Sequence, residues 1–238
     1  MNYMGSKSRL AKDLKPIIES AIDENTVAYI EPFVGGANMI DKIAFHNKIG
    51  LDVNPYLIAL LQHAQITTDD FPDFISREEY NLVRESYNNR DGKYPEWYYG
   101  FVGFMGSYSG RFYDGGYAGI VGKRNYPKEK INNLIKQVPS LKDIKFGYKD
   151  FRNINVNKIH DCVIYCDPPY VGTTEYKTDK FDYEAYYDFV RKLSKNNKLF
   201  CSERYMPDDF EVVYEKSIHN SIKGESDFKT EKLFVYKG

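Results

Sequence analysis

Four histidines and three cysteines are too few and too scattered to give this 238-residue chain a metal centre or a histidine-based triad. Cys162, Cys166 and Cys201 make no metal-ligand spacing and no disulfide framework, and the first two fall on one predicted strand. They read as buried thiols in a reducing compartment. No apolar run approaches the roughly 18 residues of a membrane span, and Met1-Asn2-Tyr3-Met4 opens no signal peptide, so a cytoplasmic protein is expected. Positive and negative side chains nearly cancel, 33 against 34 for a net of −1, so any polyanionic partner would have to be met by a local patch. Tryptophan occurs once, whereas tyrosine occurs 22 times and phenylalanine 15 times. A tyrosine can bury its ring and keep its hydroxyl wet, or offer a face on which bases stack. Hydrophobic residues make up 42%, enough for one large domain or a core with a smaller lobe.

The most informative segment is Asp167-Pro168-Pro169-Tyr170. It follows Cys162-Val163-Ile164-Tyr165-Cys166, a short apolar run that reads as a buried parallel strand. Neither proline can donate a ladder hydrogen bond and each restricts the residue before it, so the strand ends there. A carboxylate, a rigid carbonyl-bearing turn and an aromatic ring then lie together at the carboxyl edge of a sheet, where open α/β folds bind ligands. That set suits the holding of a planar base by its exocyclic amine.

Helical periodicity over residues 8–22 places Leu10, Leu14, Ile17, Ile18 and Ala21 on one face. A strand over 27–33, a Gly35-Gly36 turn, a helix over 37–46, a strand over 49–53 and a helix over 55–65 follow. This is the signature of a parallel, doubly wound sheet. The alternation stops between about residues 67 and 139, which read as an inserted, mainly helical lobe around a Gly/Tyr-rich middle. It resumes with strands at 144–148 and 162–166, a helix over 182–195 capped by Asp182, and strands at 198–202, 211–217 and 231–237, the last two closing as an antiparallel pair. The catalytic unit is therefore residues 1–66 and 140–238, and the inserted lobe 67–139.

Glu31-Pro32-Phe33-Val34-Gly35-Gly36-Ala37 joins the first strand to the segment read as its helix. Two glycines let the backbone approach a ligand, and a helix N-terminus there would favour a carboxylate. Asp52 ends the second strand, where a carboxylate can accept ribose hydroxyls and would repel a 2′-phosphate. Asp150-Phe151 ends the third and could offer an acceptor and a ring to an adenine. Together they describe a site for an adenosine-containing cofactor.

The ordered set Asn2-Tyr3-Met4-Gly5-Ser6-Lys7, EPFVGG (31–36), LDVN (51–54), an insert, then DPPY (167–170) resembles the Dam-type DNA adenine-N6 methyltransferases, most of all their short bacteriophage-like members. The resemblance covers nearly the whole chain. It implies a Rossmann-like S-adenosylmethionine-dependent methyltransferase sheet, mostly parallel with its last strand antiparallel, acting on double-stranded DNA as a monomer or a weak dimer, without metal. It places Tyr3 against the cofactor, Lys7 at its edge, Phe33, Gly35 and Gly36 by the methionine part, Asp52 at the ribose and Asp150-Phe151 at the adenine. Asp167, Pro168, Pro169 and Tyr170 become the catalytic set. The chain departs from relatives at Asn2, where many carry Lys, and at Ser202-Glu203, where Ser-Asn is usual.

Residues 107–136 carry six basic and two acidic side chains, a net of +4 inside a chain of −1. Asp114-Gly115 between RFY and GYAGIV predicts a tight hairpin. A basic hairpin with exposed aromatics can enter a groove, touch phosphates and wedge between bases. The resemblance puts a recognition hairpin here, with Arg111 to read a guanine, Tyr108 or Phe112 as the wedge, and Lys123 and Arg124 on phosphates. Two other readings stand beside it: methyl transfer to RNA adenine or a protein glutamine amide, and a catalytically silent DNA-binding relative.

Overall fold

A computed structural model describes residues 1–170, 181–222 and 225–238, with side chains outside 218–229. Its main sheet has seven strands: β1 (Ala28–Glu31), β2 (Lys48–Asp52), β5 (Ile144–Tyr148), β6 (Cys162–Cys166), β7 (Lys198–Glu203), β8 (Phe210–Ile222) and β9 (Glu225–Tyr236), in the order β5-β2-β1-β6-β7-β9-β8. The first five are parallel, and β9 runs antiparallel between β7 and β8. Strands β1 and β6 lie in the middle and are buried throughout, which is why β6 reads as an unbroken apolar run and β1 as one that ends on the buried Glu31. The strand order reverses between β1 and β6, so the crevice at their carboxyl ends is the topological switch point where such sheets take ligands. The last hairpin is longer than the sequence suggests, its strands pairing from Phe210↔Tyr236 out to Ile222↔Glu225.

The helices are α1 (Ala11–Glu19), α2 (Pro55–Ile66), α3 (Arg77–Asn89), α4 (Glu96–Gly106), α5 (Tyr126–Gln137) and α6 (Tyr183–Ser194). Helix α1 buries Ala11, Leu14 and Ile18, and a single 3-10 turn over Lys7–Arg9 precedes it. Asp182 caps α6 as expected, accepting from the Ala185 N–H at 2.9 Å. The helix expected over 37–46 does not form. Ala37 is left-handed at φ 55°, and side chains from elsewhere take the carbonyls that a helix would bond. Gln137 Nε2 donates to the Gly36 and Ala37 carbonyls at 3.2 and 3.0 Å, and Lys48 Nζ to those of Ile40 and Ile43 at 3.2 and 3.4 Å. The glycine turn therefore leads into irregular chain and not into a helix N-terminus.

The inserted segment is largely helical. Its middle helix, α4, was hidden by its glycines, which sit at one-turn spacing because the helix is pressed on all sides. A Cβ at Gly100 would lie 2.1 Å from the Tyr56 carbonyl oxygen of α2, one at Gly103 2.5 Å from the Phe112 ring, and one at Gly106 2.7 Å from Tyr80. Tyr56, Tyr87, Tyr99, Phe112 and Tyr113 gather beside it, and the apolar residues of the segment are continuous with the core under the sheet. Much of the tyrosine excess is thus core, with hydroxyls tied internally: Tyr113 Oη donates to the Tyr99 carbonyl at 3.0 Å, and Tyr80 Oη lies 3.0 Å from Ser107 Oγ.

The hairpin expected at Asp114-Gly115 lies further on. Phe112 and Tyr113 are drawn into the core, so 111–115 form a tight turn, with Gly115 N–H donating to the Arg111 carbonyl at 3.2 Å. The two-stranded hairpin is β3 (Ile120–Val121) with β4 (Arg124–Asn125), turning at Gly122-Lys123 with Gly122 at φ 59°.

Candidate active site

Four turns meet at the carboxyl edge around the switch point: those after β1, β2, β5 and β6. After β1, Gly35 and Gly36 are packed by Tyr3. A Cβ on Gly35 would come 2.9 Å from the Tyr3 ring and one on Gly36 2.7 Å from Tyr3 Cβ, so larger residues would displace the N-terminal segment. Tyr3 in turn rests on Phe104, with ring centroids 5.7 Å apart.

After β2, Asp52 is buried and ties two turns together. Its Oδ2 accepts from the Gly35 N–H at 3.0 Å and its Oδ1 from the Asn54 N–H at 2.9 Å. Burial pushes this carboxyl up from the ordinary range to about 6, against the pull of those N–H groups. Its two oxygens are acceptors held side by side, which fits the hydroxyls of a vicinal diol.

After β5, Phe151 is buried with its ring 5.4 Å from Phe33, so the residues expected at the two ends of the cofactor share one aromatic wall. Asp150 caps a one-turn helix and is gripped by Arg152, whose Nε and Nη2 lie 3.0 and 2.5 Å from its two oxygens. That pairing holds the carboxyl below its usual range, and a base amine would share Asp150 with Arg152.

After β6 the Asp-Pro-Pro-Tyr turn carries a charge network that the sequence did not disclose. Lys7 is buried, and its Nζ lies 3.1 Å from Asp167 Oδ1 and 3.4 Å from Glu231 Oε2 of β9. The same ammonium stands 4.2 Å from the centroid of the Tyr170 ring. Tyr170 is buried and donates its hydroxyl to Glu231 Oε2 at 2.7 Å. The Asp167 side chain keeps 20% exposure. Burial pushes its carboxyl up, Lys7 pulls it down, and Glu231 adds to the rise. Pro168 is buried, while the exposed Pro169 turns its carbonyl to the Tyr183 hydroxyl at 3.1 Å. Arg204, just past β7, places its guanidinium 5.7 Å from the Tyr170 ring, and its buried Nε has no hydrogen-bond partner among the described residues. Lys7, expected at the edge of the cofactor, reaches the carboxylate of Asp167.

The basic segment divides. Tyr108 is 60% exposed, Arg111 half-buried, and Lys123 and Arg124 exposed on the β3-β4 hairpin. Arg124 is shared with Glu129, Nη2 to Oε2 at 2.6 Å, and lies over Tyr126. Ile120 and Val121 are exposed beside them, an apolar pair whose alternation was too short to be read. Two residues leave the set. Phe112 is buried, so it is a core ring rather than a wedge. Lys130, counted in the basic patch, is buried with its Nζ on the Ser107 carbonyl, and burial lowers its ammonium to about 8. The N-terminal segment touches this lobe, Asn133 Nδ2 donating to Asn2 Oδ1 at 3.1 Å. Among the described residues no group of three or more His, Cys, Asp or Glu could hold a metal, and no helix is long and apolar enough to cross a membrane.

The model of the family described as "D12 class N6 adenine-specific DNA methyltransferase" matches residues 3–228. Among curated proteins the chain is 23% identical to the Type II methyltransferase M.FokI of Planomicrobium okeanokoites, over 95% of this chain but 41% of that protein. It is 25% identical to the Type II methyltransferase M.MjaIII of Methanocaldococcus jannaschii, over 90% of this chain and 87% of that one. Among solved structures, the rRNA methyltransferase aviRa from Streptomyces viridochromogenes superposes with a TM-score of 0.42 at 13% identity, over 97% of this chain and 84% of that one. TrmN from Thermus thermophilus gives 0.41 at 10%, over 96% of this chain and 48% of that one.

Proposed function

The chain belongs to the D12 class N6 adenine-specific DNA methyltransferase family, and from that premise we propose that it transfers a methyl group to N6 of an adenine swung out of double-stranded DNA. The observation that carries this reading is the convergence of Asp167, Pro168 and Tyr170 with the Gly35-Gly36 turn and Asp52 at one switch point. A stacked adenine cannot present N6 in line with a methyl donor, so the base must leave the helix. S-adenosylmethionine, when bound, supplies a sulfonium-linked methyl and leaves as a neutral thioether. Asp52 would hold its ribose, the Phe33–Phe151 wall and Asp150 its adenine end, and Tyr3, Gly35 and Gly36 its methionine end.

Asp167 and the Pro168 carbonyl accept the two N6 hydrogens. They hold the amine towards tetrahedral geometry, so that its lone pair points at the methyl carbon and not into the purine. Positive charge grows on N6 as the C–N bond forms and is met by Asp167. One N6 proton then leaves by way of that carboxylate to water. Tyr170 bears on the base. Tyr108 and the apolar Ile120-Val121 pair are the candidates to fill the gap in the duplex, with Lys123 and Arg124 on phosphates and Arg111 on a guanine edge.

Purified protein with methyl-labelled donor should label unmethylated DNA, with N6-methyladenine as the labelled nucleoside after digestion. Label in RNA or protein alone, or in none, would sink the assignment.

Asp52 adds a pH dependence. Ribose hydroxyls donating to it favour its ionised form, so cofactor binding must lower a pKa that stands at about 6 in the free protein. Affinity for S-adenosylhomocysteine should hold steady above that pH. Below it, affinity should weaken by up to about tenfold per pH step. Asp52→Asn should bind more weakly and flatten the profile; an unchanged profile in calorimetric titration would remove Asp52 from the ribose.

A further inference from the structure

A lysine of this protein already makes the contacts that the reaction asks of an adenine. The N6 amine needs Asp167 as acceptor, and the base needs the Tyr170 ring. Lys7 Nζ is 3.1 Å from Asp167 Oδ1 and 4.2 Å from the Tyr170 centroid. An ammonium and a base amine are both donors to that carboxylate, and a base stacked on Tyr170 would claim the ring face over which the ammonium stands. Lys7 is buried, so its ammonium has no route to water that avoids leaving a charge unpaired. A second carboxylate stands within reach: Glu231 Oε2, 3.4 Å from the same Nζ and already holding the Tyr170 hydroxyl.

We propose, resting on the reading of the site above, that Lys7 is a placeholder for the target adenine and that Glu231 receives its ammonium when the base enters. Glu231 is then a positioning residue for methyl transfer. Before the base arrives, the ammonium compensates a carboxylate that is four-fifths buried. On arrival it moves from Asp167 to Glu231, and Asp167 meets N6 already ionised. No proton need be gained or lost in the exchange.

The groups facing Asp167 are Lys7 from the first turn, Glu231 from β9, Tyr170 on its own turn, Glu31 from β1, Tyr165 from β6 and, across the Tyr170 ring, Arg204. Of these, Lys7 is the cation in contact with the carboxylate, and Glu231 the anion in contact with that cation.

The test is a double-variant cycle read by single-turnover methyl transfer to unmethylated DNA at mildly alkaline pH. Glu231→Gln keeps an acceptor for the Tyr170 hydroxyl but removes the counter-charge, so it should slow transfer by about tenfold or more. Combined with Lys7→Met, the same change should cost almost nothing beyond Lys7→Met alone, because no ammonium remains to be rehoused. The acid limb of the pH–rate profile should move up in Lys7→Met and down in Glu231→Gln. Lys7→Gln repeats the test with a polar side chain of similar length, and a thermal shift with S-adenosylhomocysteine verifies the fold of each variant. A wild-type rate in Glu231→Gln, losses that multiply in the double variant, or limbs moving the same way would each overturn the placeholder. A wild-type protein that binds S-adenosylhomocysteine yet labels no adenine would instead overturn the reaction assignment.

Discussion

Asp167→Ala is expected to reduce methyl transfer by at least about a hundredfold while leaving the fold and cofactor binding in place. The loss follows from what the carboxylate supplies: an acceptor that holds N6 in line and an anion that meets the charge growing on it. The fold is spared because the side chain is at the surface of the crevice, and because Lys7 keeps Glu231 at 3.4 Å when its first partner is removed. Cofactor binding is spared because Asp52 and the glycine turn belong to neighbouring strands. S-adenosylhomocysteine at 100 times its dissociation constant should still stabilise the variant by about 2.7 kcal/mol. Asp167→Asn should also be slow, since its amide oxygen can still accept one N6 hydrogen but brings no negative charge to meet the one growing on N6. Full activity in either variant, with the thermal shift intact, would take Asp167 out of the chemistry.

The parts of this site that could be read in the sequence are those where one strand and its following turn carry the signal. Cys162–Cys166 is buried on both faces and therefore reads as an unbroken apolar run, and two prolines mark where it stops. Asp52 and Asp150 could be located because one ends β2 and the other follows the end of β5, its neighbour in the same sheet. What escaped depends on residues far apart in the chain. The stretch after Gly36 has helical composition, but its carbonyls are claimed by Gln137, about a hundred residues away, and by Lys48. Helix α4 lies in the Gly/Tyr-rich middle, where glycine, which usually breaks helices, hides the period; here three glycines admit the Tyr56 backbone and two aromatic rings. Glu231 sits among alternating charges that resemble any solvated strand, and only the pairing of β9 beside β7 brings it to Tyr170. The placement of Lys7 on Asp167 needs the 3-10 turn before α1 to fold back over the crevice, and spacing carries no trace of that.

Phe112 is where the core and the DNA-facing surface were confused, and Phe112→Ala should separate them. Its ring is stacked on Tyr56 at 5.6 Å and 16°, and lies 5.0 Å from Phe104, 5.1 Å from Tyr87 and 4.7 Å from Tyr113, with Gly103 beneath it. Removing it leaves a cavity between α2 and α4 that rings cannot easily collapse into, at a cost of about 3–5 kcal/mol in folding stability. A wedge would behave in the opposite way, with stability unchanged and DNA affinity reduced. Tyr108→Ala provides that contrast: the ring is 60% exposed, so stability should move by no more than about 0.5 kcal/mol while DNA binding weakens. Denaturant midpoints measured without DNA, beside titrations of each variant with duplex DNA, decide the matter. A Phe112→Ala protein as stable as the wild type would mean that this ring leaves the core after all. The turn at 111–115 would then regain its place as the element that enters the helix.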